Sequence, residues 1–268
     1  MIFKENYGGA ELVNTAEYIH ISRDGTACRV SEPVLKEHLL RVYVNGRLTM
    51  CLVCTPQHMG ELVLGRLLTE GIISSVEDVE EIVVSAEGDR VEARISENTI
   101  NSGDAFVEVT PSSCTANHIL DSAYIKNIEL ECVVPIEWNM SQIFALADRF
   151  HSALPIYGKT YATHSCFLAE GDNILFCCED IGRHNALDKV IGYGLYNGID
   201  LKSCMVYSSG RIPIDMVEKV IRSGIPVFVS KASPSGEAVE LAKKYNLTLI
   251  CAARQDRLKL FSGEMPEN

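Results

Sequence analysis

Positive charge is scarce in this sequence. Its 24 Lys and Arg residues face 36 Asp and Glu residues, which gives a formal net charge of −12 at pH 7. Binding to nucleic acid through counterion release, or to an anionic membrane surface, needs clustered Lys and Arg. The composition therefore excludes a general nucleic-acid or membrane-surface binder. It remains compatible with a small basic pocket for one anionic ligand.

Long apolar runs are also absent. No run reaches the roughly 18 to 20 apolar residues that span a bilayer, and residues 1–9 are polar and lack the apolar segment of a secretory signal. The ten cysteines are therefore expected to be reduced thiols, most of them small core residues, rather than a disulfide scaffold. We expect a cytoplasmic protein.

Several common catalytic signatures are missing. The sequence has no Walker A loop, no G-x-G-x-x-G and no G-x-S-x-G. Its one C-x-x-C, from Cys51 to Cys54, lies in a predicted strand, where positions i and i+3 point to opposite faces, so both thiols are interpreted as core. His164 and Cys166 make only half of a zinc site, because no second pair at ligand spacing is present.

The densest polar chemistry lies in Glu179-Asp180-Ile181-Gly182-Arg183-His184-Asn185-Ala186-Leu187-Asp188-Lys189. An apolar run precedes this stretch and an apolar-periodic helix follows it, which predicts a strand-to-helix turn. Backbone N–H groups at a helix start have no intrahelical partners and attract anions, so the stretch favours a phosphate or pyrophosphate site. The alternative is a helix start capped by Asn185 with solvated charges. His184 by itself fits a structural role equally well.

The first half of the chain predicts a small α+β unit. Strand patterns at 39–54 surround an Asn45-Gly46 turn, and apolar residues then recur at helical spacing until Gly71. Two further strand runs lie within 81–95. Hairpin, helix and strands in this order favour a β-grasp-like roll. Residues 1 to about 30 give no clear signal.

The second half alternates strands with helices, which indicates a sheet of parallel character with helices on both faces. Residues 128–134 and 160–168 are predicted to be strands. Ligands bind such sheets in the crevice at the carboxyl ends of the strands. The polar loops expected there are 180–185, 208–211, 231–235 and 254–257. All four of these loops carry Arg or Lys, which suits an anionic molecule such as a nucleotide or a pterin phosphate.

Cys114 differs from the other thiols. Ser112, Ser113 and Thr115 flank it outside any apolar run, in a polar stretch that predicts an exposed loop. An accessible cysteine can react as a thiolate. Cys114 is therefore a candidate nucleophile, and the alternative is an ordinary loop thiol.

These motifs resemble those of the formate dehydrogenase accessory protein family (FdhD/NarQ). The segments that carry the resemblance are, in order, Asn45-Gly46, Thr55-Pro56, Glu70-Gly71-Ile72-Ile73, the stretch 179–189 and Ser209-Gly210-Arg211. The resemblance covers roughly residues 30–262. It implies a cytidine-deaminase-like three-layer α/β/α core at 136–268 and a smaller α+β domain at 1–112. A mobile cysteine loop and crossover at 113–135 would join them.

The same resemblance implies a sulfurtransferase. Family members take persulfide sulfur from a cysteine desulfurase and pass it to a cofactor of formate dehydrogenase. That cofactor is a molybdenum or tungsten bis(molybdopterin guanine dinucleotide), for which a guanine nucleotide is a mimic. The desulfurase and the dehydrogenase are thus the expected partners, and a homodimer is left open. No nucleic acid, membrane or resident metal is expected.

Family motifs map onto this chain with departures. The S-C-G-x-C loop falls on Ser113-Cys114-Thr115-Ala116-Asn117, so Cys114 matches the persulfide carrier and Asn117 replaces the second cysteine. The T-G-G-x-H segment falls on Thr160-Tyr161-Ala162-Thr163-His164 and loses both glycines, and the F-x-R segment loses its Phe. The residues expected to hold the cofactor are Asp180, Gly182, Arg183, His184, Asn185, Ser209, Gly210, Arg211, Ala252, Ala253, Arg254, Gln255, Asp256 and Arg257, with His164, Asp188 and Lys189 as further candidates.

Two alternatives to the sulfurtransferase remain open. One cysteine suffices to accept and donate a sulfane sulfur, but a resolving thiol is missing. Together with the lost glycines, this favours a non-catalytic chaperone that binds the molybdenum cofactor. The second alternative, a zinc-dependent hydrolase, rests on the deaminase-like fold alone. Its P-C-x-x-C segment is missing from the sequence.

Overall fold

We describe the chain from a computed structural model that covers residues 1–9, 11–96, 130–152 and 154–266, with the backbone alone at 109–110 and 151–152. The strands are β1 (Ile2–Glu5), β2 (Val13–Ile21), β3 (Ala27–Leu35), β4 (His38–Val44), β5 (Arg47–Cys54), β6 (Val79–Val84), β7 (Arg90–Ile95), β8 (Val109–Thr110), β9 (His164–Glu170), β10 (Asn173–Asp180), β11 (Met205–Ser208), β12 (Val227–Ser230), β13 (Thr248–Cys251) and β14 (Lys259–Ser262). The α-helices are α1 (Met59–Thr69), α2 (Met140–Ser152), α3 (Tyr157–Thr160), α4 (Arg183–Tyr196), α5 (Ile214–Arg222) and α6 (Gly236–Lys244).

The first sheet has the strand order β1-β6-β7-β4-β5-β8. Asn45 and Gly46 both take positive φ angles, 49° and 80°, as the predicted two-residue turn between β4 and β5 requires. Alternate residues of these strands, such as Leu40, Val42 and Leu52, are buried in one cluster with α1. The predicted hairpin, helix and later strands are all present. The comparison with a β-grasp roll stays a prediction.

A separate two-stranded hairpin, β2–β3, lies largely within residues 1–30, for which no structure was predicted. Its side chains are mostly exposed on both faces, including Ile19 and Ile21. Strand prediction depends on an alternation between buried apolar and exposed polar positions. Because neither face of this hairpin is buried against a core, the sequence carries no such alternation.

The second sheet has the order β10-β9-β11-β12-β13-β14. Strands β11, β12 and β13 are parallel, and β9, β10 and β14 run antiparallel to their neighbours. Phe167, Tyr207 and Val229 pack towards α2, whereas Val206 and Phe228 belong to the cluster on the other face, with α4, α5 and α6. The predicted sheet with helices on both faces is thus confirmed. Its assignment to the cytidine-deaminase-like fold stays a prediction.

Two predicted strands are wrong in part. The described residues of 128–134, which begin at 130, form no strand, although Val133 N–H donates to the Tyr245 carbonyl at 3.0 Å. The strand predicted at 160–168 begins only at His164. The residues before it form the short helix α3, and Tyr161 then turns the chain with a φ of 54°.

The two sheets share one core. A single buried apolar cluster includes Leu52 of the first sheet, Leu64 of α1, Ile191 of α4 and Phe228 of the second sheet. Helix α1 packs on α4, and the two backbones come into contact beside Gly65 and Gly192. The predicted division into 1–112, 113–135 and 136–268 therefore describes the strand topology but cuts through a continuous core. The division itself stays a prediction.

Candidate functional site

A cavity of about 460 Å³ lies at the edge of the second sheet where β11, β12 and β13 end and β9 begins. This is the carboxyl edge of the parallel strands, where ligands bind in such sheets. Apolar, aromatic and polar side chains together line it, which is typical of small-molecule sites. The lining residues are Phe150, Leu154, Tyr157, Tyr161, Ala162, Thr163, His164, Ser165, Ser209, Lys231, Ala232 and Arg254.

Ser209 and His164, two of the predicted site residues, meet in this cavity. The Ser209 hydroxyl accepts a hydrogen bond from Ser165 N–H at 3.0 Å and lies 3.3 Å from His164 Nδ1. Ser209 N–H in turn donates to the Ser165 carbonyl at 3.0 Å. The loop after β11 is thereby fixed to the start of β9, so both side chains keep a defined position.

Hydrogen bonds between the strand ends hold the other loops in place. Ser230 Oγ donates to the Gly210 carbonyl at 2.7 Å and accepts from Ala232 N–H at 3.0 Å. Ala253 N–H donates to the Ser230 carbonyl at 3.0 Å, and the Tyr207 hydroxyl donates to the Ala253 carbonyl at 2.8 Å. Burial raises the pKa of Tyr207, so its phenol keeps the proton that it donates.

The cavity is positively charged within an acidic protein. Lys231 and Arg254 both line it, and none of the described lining residues carries a carboxylate. Lys and Arg donors without a competing carboxylate suit a phosphate group. Three of the four loops predicted to converge, those at 208–211, 231–235 and 254–257, each contribute a lining residue. Arg211 is exposed and does not line the cavity.

One wall of the cavity is the segment 156–163, which we call the aromatic turn. The buried carboxylate of Glu179 fixes it, accepting from Ile156 N–H at 2.9 Å and from Tyr157 N–H at 2.6 Å. The Thr163 hydroxyl donates to the same carboxylate at 2.9 Å. Glu179, the first residue of the conspicuous stretch 179–189, thus supports the cavity from behind.

The rest of that stretch lies in the core. Asp180 and Lys189 are fully buried, and their side chains form an ion pair at 2.6 Å. Asp180 also accepts from Thr55 N–H at 3.0 Å and from Gly182 N–H at 2.8 Å, and Lys189 donates to the Thr55 carbonyl at 2.9 Å. Burial lowers the pKa of Lys189, but its neighbours, Asp180 foremost among them, together outweigh burial and leave this pKa raised.

A second buried group joins α4 to α1 and α5. Asp188 accepts from Thr69 Oγ1 at 2.8 Å and from Lys219 Nζ at 3.1 Å, and its other oxygen lies 2.7 Å from Arg66 Nε. Asn185 accepts from Arg66 Nη2 at 2.8 Å. Its amide donates to the Val53 carbonyl and to Asp180, each at 2.9 Å.

The remaining residues of the stretch border α5 and the loop after β11. His184 Nε2 lies 2.9 Å from Asp215 Oδ2. Gly182 is the N-cap residue of α4, with extended backbone angles. The stem of Arg183 packs on Gly210, since an added Cβ at Gly210 would lie 2.8 Å from Arg183 Cδ.

Anion binding by stretch 179–189 stays a prediction, whereas the alternative of a helix start with solvated charges is wrong, because the charged side chains of the stretch are buried. Helix α1 covers it, so its charges are buried and its side chains bind one another and the first sheet. No pattern within residues 179–189 predicts that α1 packs over them. Cofactor binding by Asp180, Asn185, Asp188 and Lys189 stays a prediction, and in this structure protein groups occupy the hydrogen-bonding atoms of these side chains.

The sequence model of the FdhD/NarQ family matches residues 35–266. The chain belongs to the FdhD/NarQ family. The "Sulfur carrier protein FdhD" of Listeria monocytogenes serotype 4b (strain F2365) is 29% identical over 247 residues, which cover 89% of this chain and 93% of that protein. The protein of the same name from Methanothermobacter thermautotrophicus is 30% identical over 241 residues, which cover 87% and 91%.

A solved structure supports the same assignment. The crystal structure of a protein from Desulfotalea psychrophila, described as a formate dehydrogenase accessory protein, superposes with a TM-score of 0.74. Its sequence is 26% identical, and the match covers 94% of this chain and 98% of that one. The family predicted from the sequence is confirmed. The FdhD/NarQ match includes the cavity and the buried ion pairs, whereas the hairpin β2–β3 precedes it except for Leu35.

The cysteines differ in how far the structure describes and exposes them. Cys114 and its neighbour Asn117 lie outside the described residues. Cys51 and Cys54 are buried in β5, which confirms their interpretation as core residues. Burial raises the pKa of Cys54 to about 12. Among the cysteines that the structure describes, only Cys28 and Cys132 are exposed.

The C-terminal segment predicted to bind the cofactor contributes one residue to the cavity, Arg254. Its backbone N–H donates to the Arg257 carbonyl at 2.8 Å, which closes an exposed turn that contains Gln255 and Asp256. Ala252 takes a φ of 49°, and its N–H donates to the Ala232 carbonyl at 2.8 Å. Ala252 and Ala253 therefore shape the backbone beside the cavity.

Two further observations concern the described part of the chain. It contains no group of three or more His, Cys, Asp or Glu residues arranged to hold a metal ion. None of its helices is long and apolar enough to cross a membrane. Sequence reasoning missed Tyr157, Lys231 and the supporting role of Glu179. Lys231 lay in a loop expected at the right edge, and Tyr157 had no such signal.

Proposed function

We propose that this protein is a sulfurtransferase that matures formate dehydrogenase. Cys114 accepts sulfur from a cysteine desulfurase and passes it to the molybdenum or tungsten bis(molybdopterin guanine dinucleotide) cofactor of the dehydrogenase. The names of the relatives, sulfur carrier protein and formate dehydrogenase accessory protein, support this role. We place the reaction in the cytoplasm, where thiols stay reduced.

The observation that carries the proposal is the cation-lined cavity. Lys231 and Arg254 line it together with Ser209 and His164, without a described carboxylate among the lining residues. About 460 Å³ is within the range of small-molecule sites and matches one nucleotide-sized part of the cofactor. The cofactor is here a substrate, and a guanine nucleotide is its mimic.

The first chemical step is a sulfur transfer between thiols. The Cys114 thiolate attacks the terminal sulfur of the desulfurase persulfide, and the desulfurase cysteine leaves as a thiolate. Cys114 then holds the persulfide. In the second step its terminal sulfur passes to the cofactor while Cys114 leaves as a thiolate. The two electrons that convert this sulfane sulfur to sulfide come from the reduced metal of the client.

The other thiols are poorly suited to this chemistry. Only a thiolate is nucleophilic, and burial raises the pKa of Cys54 and Cys251 to about 12 and that of Cys204 to about 11. Cys28 and Cys132 are exposed and are therefore the competitors to exclude. Cys28 lies on the hairpin β2–β3, ahead of the family match.

Mass spectrometry of the intact protein after incubation with a cysteine desulfurase and cysteine tests the assignment. We expect the wild type and a Cys28→Ala/Cys132→Ala double variant to gain one sulfur atom, and Cys114→Ala to gain none. A persulfide that persists in Cys114→Ala would refute the role of this cysteine.

A second candidate function is a chaperone that binds the cofactor without transferring sulfur. Asn117 at the place of the second loop cysteine favours it, since a resolving thiol is missing. The two functions differ in a strain that lacks its own accessory protein. Cys114→Ala abolishes formate dehydrogenase activity there if the protein is a sulfurtransferase, and restores it as well as the wild type does if the protein is a chaperone.

A further inference from the structure

Tyr161 has an unusual backbone for an aromatic residue. Its φ of 54° and ψ of 19° lie in the left-handed region, which large side chains rarely adopt because the backbone is strained there. At this position the family motif has a glycine, which enters that region freely. The chain thus keeps a costly side chain where glycine would remove the strain.

The side chain of Tyr161 is not buried in return for this strain. It is 77% exposed, and Tyr157 beside it is 38% exposed. The two rings meet edge to face with centroids 5.5 Å apart, and both line the cavity. A strained backbone conformation persists only where the surrounding structure holds it in place. Such conformations are frequent at functional sites. The exposed ring of Tyr161 is therefore a candidate to contact a ligand in the cavity.

The surrounding structure does enforce this arrangement. Tyr161 N–H donates to the Tyr157 carbonyl at 2.8 Å, and the Thr160 hydroxyl donates to the Ile156 carbonyl at 2.9 Å. Glu179 holds the N–H groups of Ile156 and Tyr157 from the core side. The aromatic turn is thus anchored at a buried carboxylate, and its two rings face the same cavity as Arg254.

We propose that the ring of Tyr161, supported edge to face by Tyr157, forms an aromatic platform that stacks on the planar ring of the molecule bound in the cavity. This inference rests on the proposed function. Lys231 and Arg254 would hold the phosphates while the platform holds a two-ring heteroaromatic group. Guanine and pterin, the two such rings of the cofactor, share this chemistry. The platform replaces the backbone approach that the missing glycines would have allowed.

Titration calorimetry with GDP, 6-hydroxymethylpterin and pyrophosphate tests the platform. Stacking of a base on an aromatic side chain corresponds to about 5- to 100-fold in affinity. We expect Tyr161→Gly to weaken binding of one ring-bearing probe by that factor and to leave pyrophosphate binding unchanged. The probe that is affected identifies the ring as guanine or pterin. Tyr161→Phe retains the ring and is expected to bind like the wild type.

Thermal unfolding separates this role from a structural one. Because glycine relieves the left-handed strain, Tyr161→Gly is expected to melt at the wild-type temperature or above it while it binds the ring more weakly. The matched control is Tyr18→Ala, which removes an exposed tyrosine of the hairpin β2–β3 that does not line the cavity, and is expected to change neither measurement.

Two outcomes would count against the inference in different ways. Wild-type affinity of Tyr161→Gly for both ring-bearing probes would refute the platform and leave the proposed function in place. If the wild type bound neither these probes nor pyrophosphate, the cavity would not be the cofactor site. The proposed site and the platform would then both be wrong.

Discussion

Gly65 and Gly192 face each other where α1 crosses α4. A Cβ added to Gly65 would lie 1.9 Å from the Asp188 carbonyl oxygen, and one added to Gly192 would lie 1.9 Å from the Glu61 carbonyl oxygen. Real Cβ atoms do not approach backbone atoms so closely. The two helices therefore pack backbone to backbone, and this close approach brings Arg66 of α1 within reach of Asp188 of α4.

Replacement of either glycine is expected to destabilise the fold. Gly65→Ala and Gly192→Ala should each lower the free energy of unfolding by about 3 kcal/mol or more, because the helices must move apart. Urea denaturation of each variant and of the wild type measures this difference in the free energy of unfolding. The matched control is Gly236→Ala in α6, where an added Cβ meets nothing within 4 Å. Alanine there is expected to be neutral or to stabilise by up to about 1 kcal/mol. Equal stability of all three variants would contradict the close packing.

The buried pair Lys189–Asp180 allows a double-mutant cycle. Lys189→Met leaves the Asp180 carboxylate buried without its cation and is expected to cost about 3–5 kcal/mol. Asp180→Asn in the Lys189→Met background should recover part of this loss, since an amide oxygen still accepts from Thr55 N–H without carrying a charge. Purely additive losses in urea denaturation would show that the two side chains do not interact.

Glu70 gives a prediction about pH. Burial raises its pKa, but Lys219 at 2.7 Å and Arg66 at 3.2 Å outweigh burial, so the pKa of Glu70 lies below its usual value. The unfolded chain therefore takes up this proton at a higher pH than the folded chain does. The stabilisation is complete above the unfolded pKa of about 4.3 and is lost as the pH falls through the folded pKa.

Glu70→Gln should accordingly destabilise the protein by about 2 kcal/mol at pH 7. The difference from the wild type should shrink in denaturation experiments below about pH 4. Glu240→Gln, an exposed carboxylate paired with Lys243 on α6, is the control and is expected to show no such difference. A gap between Glu70→Gln and the wild type that does not change with pH would rule out the ion pair as its source.

Arg254 and Arg257 make a matched pair at the cavity. Arg254 lines it, whereas Arg257 lies on the same exposed turn, outside the lining and 3.7 Å from Asp256. We expect Arg254→Gln to weaken GDP binding about 10-fold, because a charge-assisted contact to phosphate is lost. Arg257→Gln should bind like the wild type in the same calorimetric titration. Similar losses in both variants would indicate long-range charge attraction instead of a direct contact.

Local elements of the fold could be predicted from the sequence because their signals are local. Asn45-Gly46 specifies a turn whatever lies around it, and Gly224 ends α5 with the positive φ of 77° that glycine permits. The carboxyl edge of the second sheet followed from strand order alone, and it correctly brought Ser209 and Arg254 together. The hairpin β2–β3 was not predicted because it packs on no core and therefore lacks the alternation of apolar and polar residues.

The site was harder to predict because it depends on which helix covers which strand. Glu179 and Lys189 are charged residues ten positions apart, and the sequence does not show that their structural roles differ. In the fold, Glu179 supports the aromatic turn, and Lys189 is fully buried beneath α1. Their partners, Tyr157 and Thr55, lie in segments that no local rule joins to them. Tyr161 lay in a family motif, but only its positive φ shows that its side chain is retained at a cost.

The hydrogen bond between Thr55 and Asp180 joins residues 125 positions apart. During synthesis, the first sheet and α1 emerge from the ribosome long before α4 can cover them. Until then the apolar face of α1 and the groups that pair with α4 are exposed to water. Closure of such a long loop is slow, and chains in this state are prone to aggregate. The same continuous core that unites the two halves thus makes the newly synthesised chain dependent on its own second half.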